Sequence, residues 1–269
     1  MRNVAHGFPR RRSVKREGGS PAFAALKGRA TIGVSAVALF LAAWEIAPRL
    51  GIVDPFFTSL PSRVLLAGVG VLRSGTLAHD VLVSLTEFGS GFALALAVAI
   101  PLGLLLGAFP TLRDLIDPPV MALYATPQLA LLPIFVLWLG IGMGSKIAVV
   151  FLGAAIPVVV NTIAGVRQVD RSLVLAARAF CATRRDVFVR VILPAALPAV
   201  MVGIRLGVSR AILGVVVAEM YVSQNGIGNQ IMRLGSAFRV DRLLVYVLLV
   251  SVFGLAMTTL VRRLEERLA

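Results

Sequence analysis

The chain has 269 residues, 58% of them hydrophobic and only 15% charged, a balance outside that of soluble domains. Its net charge of +14 would point to nucleic acid in a soluble protein, but membrane proteins retain Lys and Arg in their cytoplasmic loops, so no nucleic-acid partner is expected. One cysteine, Cys181, excludes an internal disulfide, and with two distant histidines, His6 and His79, no metal or cofactor is expected.

Residues 1–29 are basic and punctuated by Gly and Pro, and read as a disordered cytoplasmic tail. The Arg10–Arg12 cluster before an apolar run mimics a signal peptide, but no small-residue cleavage site follows it cleanly. The first span is Ala30–Ala47, with Trp44 near its outer interface. Pro48–Glu87 mixes polar and apolar residues, and Val64–Leu72 within it has the pattern of an interfacial amphipathic helix. The second span is Phe88–Phe109. The third, Val120–Leu139, is interrupted by Pro127 and Pro133. The fourth is Ile147–Val166, with Pro157 inside it. A basic loop, 170–198, precedes the fifth span, Leu197–Tyr221. A Gly/Asn/Gln-rich stretch, Ser223–Arg239, leads to the sixth, Leu243–Leu260, and 261–269 is a charged tail. Each run is long enough for a hydrocarbon core roughly 30 Å thick. The expected fold is therefore all-α and polytopic, with six transmembrane helices over residues 30–260.

Six spans place both termini on one side. The termini and the loops after spans two and four hold 18 of the 27 Lys and Arg residues, against 7 in the opposite loops. The positive-inside rule then makes both termini and the 170–198 loop cytoplasmic. No internal repeat is evident, which weighs against the inverted-repeat secondary transporters. Gly140–Lys146, GIGMGSK, lacks the Gly directly before the Lys that a phosphate loop needs, and Gly226 and Gly228 form a turn without the third glycine of a dinucleotide loop. No nucleophile–base grouping stands out, and no enzymatic activity is expected.

The 170–198 loop is polar and basic between two hydrophobic spans. Leu173, Leu175, Ala176, Ala179 and Phe180 recur at helical spacing. A charged elbow follows at Arg184, Arg185 and Asp186, and Pro194 of the Leu193-Pro194 pair is expected to turn the chain back toward the membrane. On periodicity alone, a short projecting helix and an ordinary surface loop are equally good readings.

The segment resembles the EAA coupling loop of bacterial ABC-importer permeases: Glu-Ala-Ala, three residues, Gly, nine residues, Ile, any residue, Leu-Pro. Ala176, Ala177, Val191, Leu193 and Pro194 fit the pattern, whereas Leu175 stands for the Glu and Cys181 for the Gly. Leu60-Pro-Ser, SLTEFGSGF (Ser84–Phe92), YATPQLALLPIFVLWLGIG (Tyr124–Gly142), GIRLGVSR (Gly203–Arg210) and AEM (Ala218–Met220) extend the likeness to the nitrate/sulfonate/taurine class. The resemblance implies a type I importer permease whose coupling residues are Leu175, Ala176, Ala177, Cys181, Arg184, Arg185, Asp186, Leu193 and Pro194. It also implies two ABC ATPase subunits that hydrolyse the ATP, a second permease copy, a periplasmic or lipid-anchored binding protein, and a multi-pass place in the bacterial inner membrane. A small anion such as a sulfonate, taurine or nitrate is the expected passenger, with a pyrimidine or vitamin precursor as the alternative. A secondary transporter or channel and a non-transporting membrane anchor are the competing classes.

Polar residues inside spans are costly and so carry functional expectations. Helical rise puts Arg205 roughly 12 Å, and Arg210 roughly 20 Å, in from Leu197. Arg210 near mid-depth would favour an anion in a water-filled cavity, whereas Arg205 reads as a snorkelling or helix-pairing arginine. Glu219, toward the outer end, reads as a pathway residue or a structural partner for an arginine. Gln128, beside Pro127, sits where a kinked helix would open backbone carbonyls to a pathway.

Overall fold

In the computed structural model the described residues are 21–268, with side chains described from Thr31 to Arg267. No strand occurs among them. The helices are α1 (Pro21–Arg49), α2 (Pro55–Thr58), α3 (Pro61–Arg73), α4 (Thr76–Ala108), α5 (Pro110–Ala125), a 3₁₀ turn (Gln128–Leu131), α6 (Leu132–Leu139), α7 (Met143–Arg167), α8 (Arg171–Ala179), α9 (Arg184–Val187), a π turn (Phe188–Ile192), α10 (Leu193–Val222), α11 (Ile227–Ser236) and α12 (Val240–Leu268). The chain divides at Val53 into two compact units. Residues 1–20 of the expected tail lie outside the described residues, and Pro21–Arg29 already belongs to α1. Ile32, Val34, Leu39 and Phe40 of α1 are exposed, as a lipid-facing span requires.

Among the described residues five helices are long and apolar enough to cross a bilayer: Thr31–Arg49, Thr76–Ala108, Met143–Arg167, Arg184–Val222 and Val240–Arg267. The fourth and sixth spans extend beyond the expected Ile147–Val166 and Leu243–Leu260, and three larger differences from the sequence reading stand out. The second span starts at Thr76 and not at Phe88, because Asp80 and Ser84 of its first turns are hydrogen-bonded, and Glu87 is paired with Lys146, inside the protein. The expected third span is no single rod: Pro110–Ala125 and Gln128–Leu139 meet at 93°. Thr126, preceding Pro127, is extended (φ −75°, ψ 136°), the conformation that a residue before proline prefers, and it ends α5. Finally, the chain does not turn at Pro194. The reversal lies at Phe180–Thr183, and Arg184–Val222 runs on as one 39-residue helical segment. A proline ring at 194 would meet the carbonyl of Arg190 in a regular α-helix. The wide turn just before it, closed by the Leu193 N–H donating to the Phe188 carbonyl, makes the room.

In the second unit, α7 packs along α4 on one side and α10 on the other. Ala95, Ala99, Ala154, Val158, Val208 and Ala211 are almost completely buried there. Helices in lipid associate through close van der Waals contact rather than through expulsion of water, so small residues line the seams. Larger apolar residues such as Leu94, Val98, Leu206 and Leu213 face outward. α3 does form, with Val64 and Val71 buried while Leu65, Leu66 and Leu72 stay exposed.

The seams are tight enough to test. A Cβ on Gly103 would lie 2.5 Å from the Cβ of Thr162, whose hydroxyl is tied to the Val158 carbonyl at 2.7 Å and has little freedom to move. Gly103→Ala is expected to lower the stability of the detergent-solubilised protein by about 1–3 kcal/mol. Gly89→Ala, with nothing within 4 Å, should be neutral or slightly stabilising. Thermal unfolding of the two variants side by side checks the difference.

Candidate functional site

The first turns of α4 carry Asp80, Ser84 and Glu87, spaced four and three apart and so on one face of the helix. All three are buried, as are Lys146 of α7 and Glu219 of α10. They converge on the start of α11. The first amides of a helix have no partner within it, and each of these finds one on another helix. Gly226 N–H donates to Asp80 Oδ1 (3.0 Å), Ile227 N–H to Ser84 Oγ (2.9 Å) and Gly228 N–H to Glu219 Oε2 (2.7 Å). Ser84 in turn donates its hydroxyl to Glu219 Oε1, and Gln230 Nε2 donates to Asp80 Oδ2 at 3.0 Å. Carboxylates at a helix N-terminus also answer the positive end of its dipole. Lys146 pairs with Glu87 and donates to Ser223 Oγ at 2.9 Å, while Asn229 Nδ2 donates to the Ser223 carbonyl at 2.6 Å.

The turn admits only glycine. Gly226 has φ +106°, and a Cβ there would strike the Glu219 carboxylate at 2.5 Å; one on Gly228 would sit 2.1 Å from the Val216 carbonyl. The sequence assigns no site role to Asp80, Ser84, Glu87 or Lys146; the signal it carries is the four-and-three spacing of Asp80, Ser84 and Glu87, which shows one polar face but not what that face meets.

Two of the three expected pathway residues border one cavity. Gln128 and Arg210 line one cavity of about 220 Å³, set between the α5–α6 elbow, α7 and α10 and completed by Tyr124, Pro127, Gly153 and Pro157. A Cβ on Gly153 would stand in ordinary contact with both the Arg210 carbonyl (3.4 Å) and Gln128 Oε1 (3.7 Å), so both residues border this point of α7. Arg210 is exposed and has no acid partner among the described residues. The elbow also ends α5 without following helical amides for its last carbonyls. Glu219 does not line this cavity and is held in the cluster above, by Ser84 and Gly228 rather than by an arginine. Arg205 pairs with Glu265 of α12 at 3.2 Å.

The 170–198 segment forms a helical hairpin. Asp170 caps α8 by accepting from Ser172 N–H at 2.8 Å, and that backbone hydrogen bond holds its carboxyl below the usual carboxylate range. The helix closes on Cys181 in the left-handed region (φ +56°), with Cys181 N–H donating to the Arg178 carbonyl and Ala182 N–H to that of Ala177. This is the reciprocal C-terminal cap that usually uses glycine. Cys181 thus adopts the strained conformation on roughly 1 kcal/mol worse terms than Gly. Thr183 caps α9 through Asp186 N–H at 3.2 Å. Leu175 and Ala176 project outward with Leu173 and Phe180, and Ala177 is half-buried with Val174. Arg184, Arg185 and Asp186 form the first turn of α9, while Leu193 and Pro194 lie farther on, where α10 begins.

The buried pair Lys146–Glu87 is expected to be costly to break and cheap to replace. Lys146→Met strands a carboxylate that is 2% exposed and should destabilise the protein by about 3–5 kcal/mol. Adding Glu87→Leu should recover most of that loss. A double-mutant cycle on thermal unfolding checks it, and equal losses in the single and the double variant would count against the pair.

Residues 99–269 match the family model described as "Binding-protein-dependent transport system inner membrane component". The chain is 30% identical over 248 residues to the taurine transport system permease protein TauC of Escherichia coli, covering 90% of each. It is 33% identical over 236 residues to SsuC of Bacillus subtilis, a protein named as an aliphatic sulfonates transport permease, covering 88% of this chain and 86% of that one. Its fold is shared with a chain of the MetNI methionine ABC transporter solved in inward-facing conformations, with TM-score 0.62, 19% identity, and coverage of 72% of this chain and 96% of that one. The helical bundle, its apolar spans and these matches agree, and the chain belongs to the binding-protein-dependent transport system inner membrane components, as a multi-pass permease of the ABC-importer kind.

Proposed function

We propose that this permease forms, with a second copy of itself, the pathway for a small sulfonate-like anion delivered by an extracytoplasmic binding protein. Two ATPase subunits supply the energy from below, docking on α8 and its flanking residues Leu175, Ala176, Ala177, Cys181, Arg184, Arg185, Asp186, Leu193 and Pro194. Both termini and the α8–α9 hairpin are then cytoplasmic, in line with the distribution of Lys and Arg. The observation that carries the substrate class is the cavity shared by Gln128 and Arg210: a cation with no acid partner among the described residues, far from either end of its helix, beside an amide. In a partly dehydrated site a fixed positive charge lowers the free energy of an anion more than it does in water. The names of the taurine and aliphatic sulfonate relatives point the same way. Glu219 stands outside this pathway and holds the start of α11 instead.

The test is uptake of radiolabelled taurine and short alkanesulfonates by cells with and without the partner ATPase. Uptake that vanishes without it supports the reading, and uptake that persists excludes an ATP-driven importer.

Two variants refine the proposal. Arg210→Gln keeps a hydrogen-bonding side chain but removes the charge, and should lower anion uptake about 10- to 100-fold, equivalent to about 1.4–2.8 kcal/mol at the barrier. Complex assembly should survive, and a complex that falls apart instead would make Arg210 a structural residue.

Along α8 and its C-cap, Leu173, Ala176 and Phe180 form one exposed stripe, and Phe180 is 88% exposed. Ala176→Glu would bury an unpaired charge against a docked ATPase. It should abolish co-purification of the ATPase and ATP-dependent uptake while leaving the permease inserted and folded. Wild-type uptake in this variant would reduce α8 to a surface connector.

A further inference from the structure

Beside the hairpin lies a second and larger cavity, a groove of about 750 Å³ between the end of α4 and the α8–α9 segment. Its floor is apolar, made by Pro101, Leu104 and Leu105, with the rim supplied by Arg178, Arg184 and Arg185. We propose that this groove binds one anionic phospholipid, an acyl chain on the floor and the phosphate on the arginines. The proposal is argued from the groove alone; Arg184 and Arg185 also stand in the surface proposed above for ATPase docking, so its test uses the permease without that subunit.

Three observations carry it. The first is depth. Pro101 is seven residues before Ala108, the last residue of α4, so the floor reaches roughly 10 Å into the apolar span. A soluble subunit meeting the hairpin from outside the membrane does not reach that far, whereas an acyl chain is already there. The second is charge. All three arginines are exposed and none has an acid partner among the described residues. The nearest acid in sequence, Asp186, is engaged by Thr183 and by Arg190 at 3.5 Å, and no acidic residue lines the groove. The third is combination. A free phosphate would use the rim and leave the apolar floor empty, and a neutral lipid would use the floor and leave three cations uncompensated. Basic pockets between helices at a membrane boundary suit anionic headgroups for this reason.

The experiment uses the full permease chain, reconstituted in phosphatidylcholine vesicles containing a minor fraction of phosphatidylglycerol. The protein is re-extracted and its retained lipids are counted by native mass spectrometry. Wild type is expected to retain phosphatidylglycerol in preference to phosphatidylcholine. The triple variant Arg178→Gln/Arg184→Gln/Arg185→Gln should lose that preference about tenfold or more. Leu105→Trp, at an exposed floor position, fills the groove with all charges intact and should also lose the retained lipid. Retention that survives the triple variant, or that is untouched by Leu105→Trp, overturns the site. Release of phosphatidylglycerol by millimolar inorganic phosphate would show a free-anion site and overturn it too.

Discussion

The structure depends on where the first amides of α11 go. A helix that begins inside an apolar bundle presents N–H groups that no water reaches, and each one left unmade costs several kcal/mol. Asp80, Ser84 and Glu219 take the three donors of Gly226, Ile227 and Gly228, so one set of bonds ties α4, α10 and α11 together. Lys146 brings in α7 through Glu87 and Ser223. The length of α4, the glycines of the turn and the burial of four ionisable side chains all follow from this arrangement. Buried ionic groups contribute little net stability compared with apolar replacements, and their use here is to specify which helices meet and in what register.

That cluster also explains what was legible in the sequence. The long apolar runs were plain, since composition and length alone identify them, whereas periodicity at 171–179 left helix and surface loop equal, and the Asp170 cap that begins the helix is a finding of the structure. The α4 boundary was misplaced because Asp80 and Glu87 look like the residues that end a span, and only tertiary partners allow them inside. Lys146 was counted with the loops for the same reason. Pro127 marked a break, but the 93° size of the bend depends on how the elbow packs against α7 and α10. Pro194 misled in the opposite direction: the π turn that absorbs its ring has no local sequence signal, since it is defined by one displaced hydrogen bond.

Three buried acids also bear on whether the chain could be an ion-coupled carrier. Such a carrier needs carboxylates that exchange protons or cations with a pathway. Both oxygens of Asp80 and of Glu219 accept hydrogen bonds from the α11 start, Ser84 or Gln230, and Glu87 faces Lys146. None of the three lines the Gln128–Arg210 cavity. Asp80 and Glu219 thus act as acceptors for α11 and its neighbours, and Glu87 as the partner of Lys146.

α10 links the parts. Arg210 lies roughly 14 Å along this helix from Glu219 and roughly 26 Å from Leu193, at 1.5 Å per residue. One end of the helix is therefore clamped by the buried cluster, its middle borders the cavity, and its other end runs without a break into the π turn and α9. A π turn is a local widening that shifts the helix register at little cost and commonly marks functional segments. Under the proposed mechanism, force applied at α8 enters α10 through this turn while the clamp holds the far end. The displacement then falls off along α10 toward the clamp, and the cavity lined by Gln128 and Arg210 lies on its path. The α5–α6 elbow forms the opposite wall of that cavity, and its proline-broken backbone lets it yield without breaking helical hydrogen bonds. Under the same proposal, a clamped end and a proline-broken wall would let the bundle pass between two discrete packings while α11 stays in place.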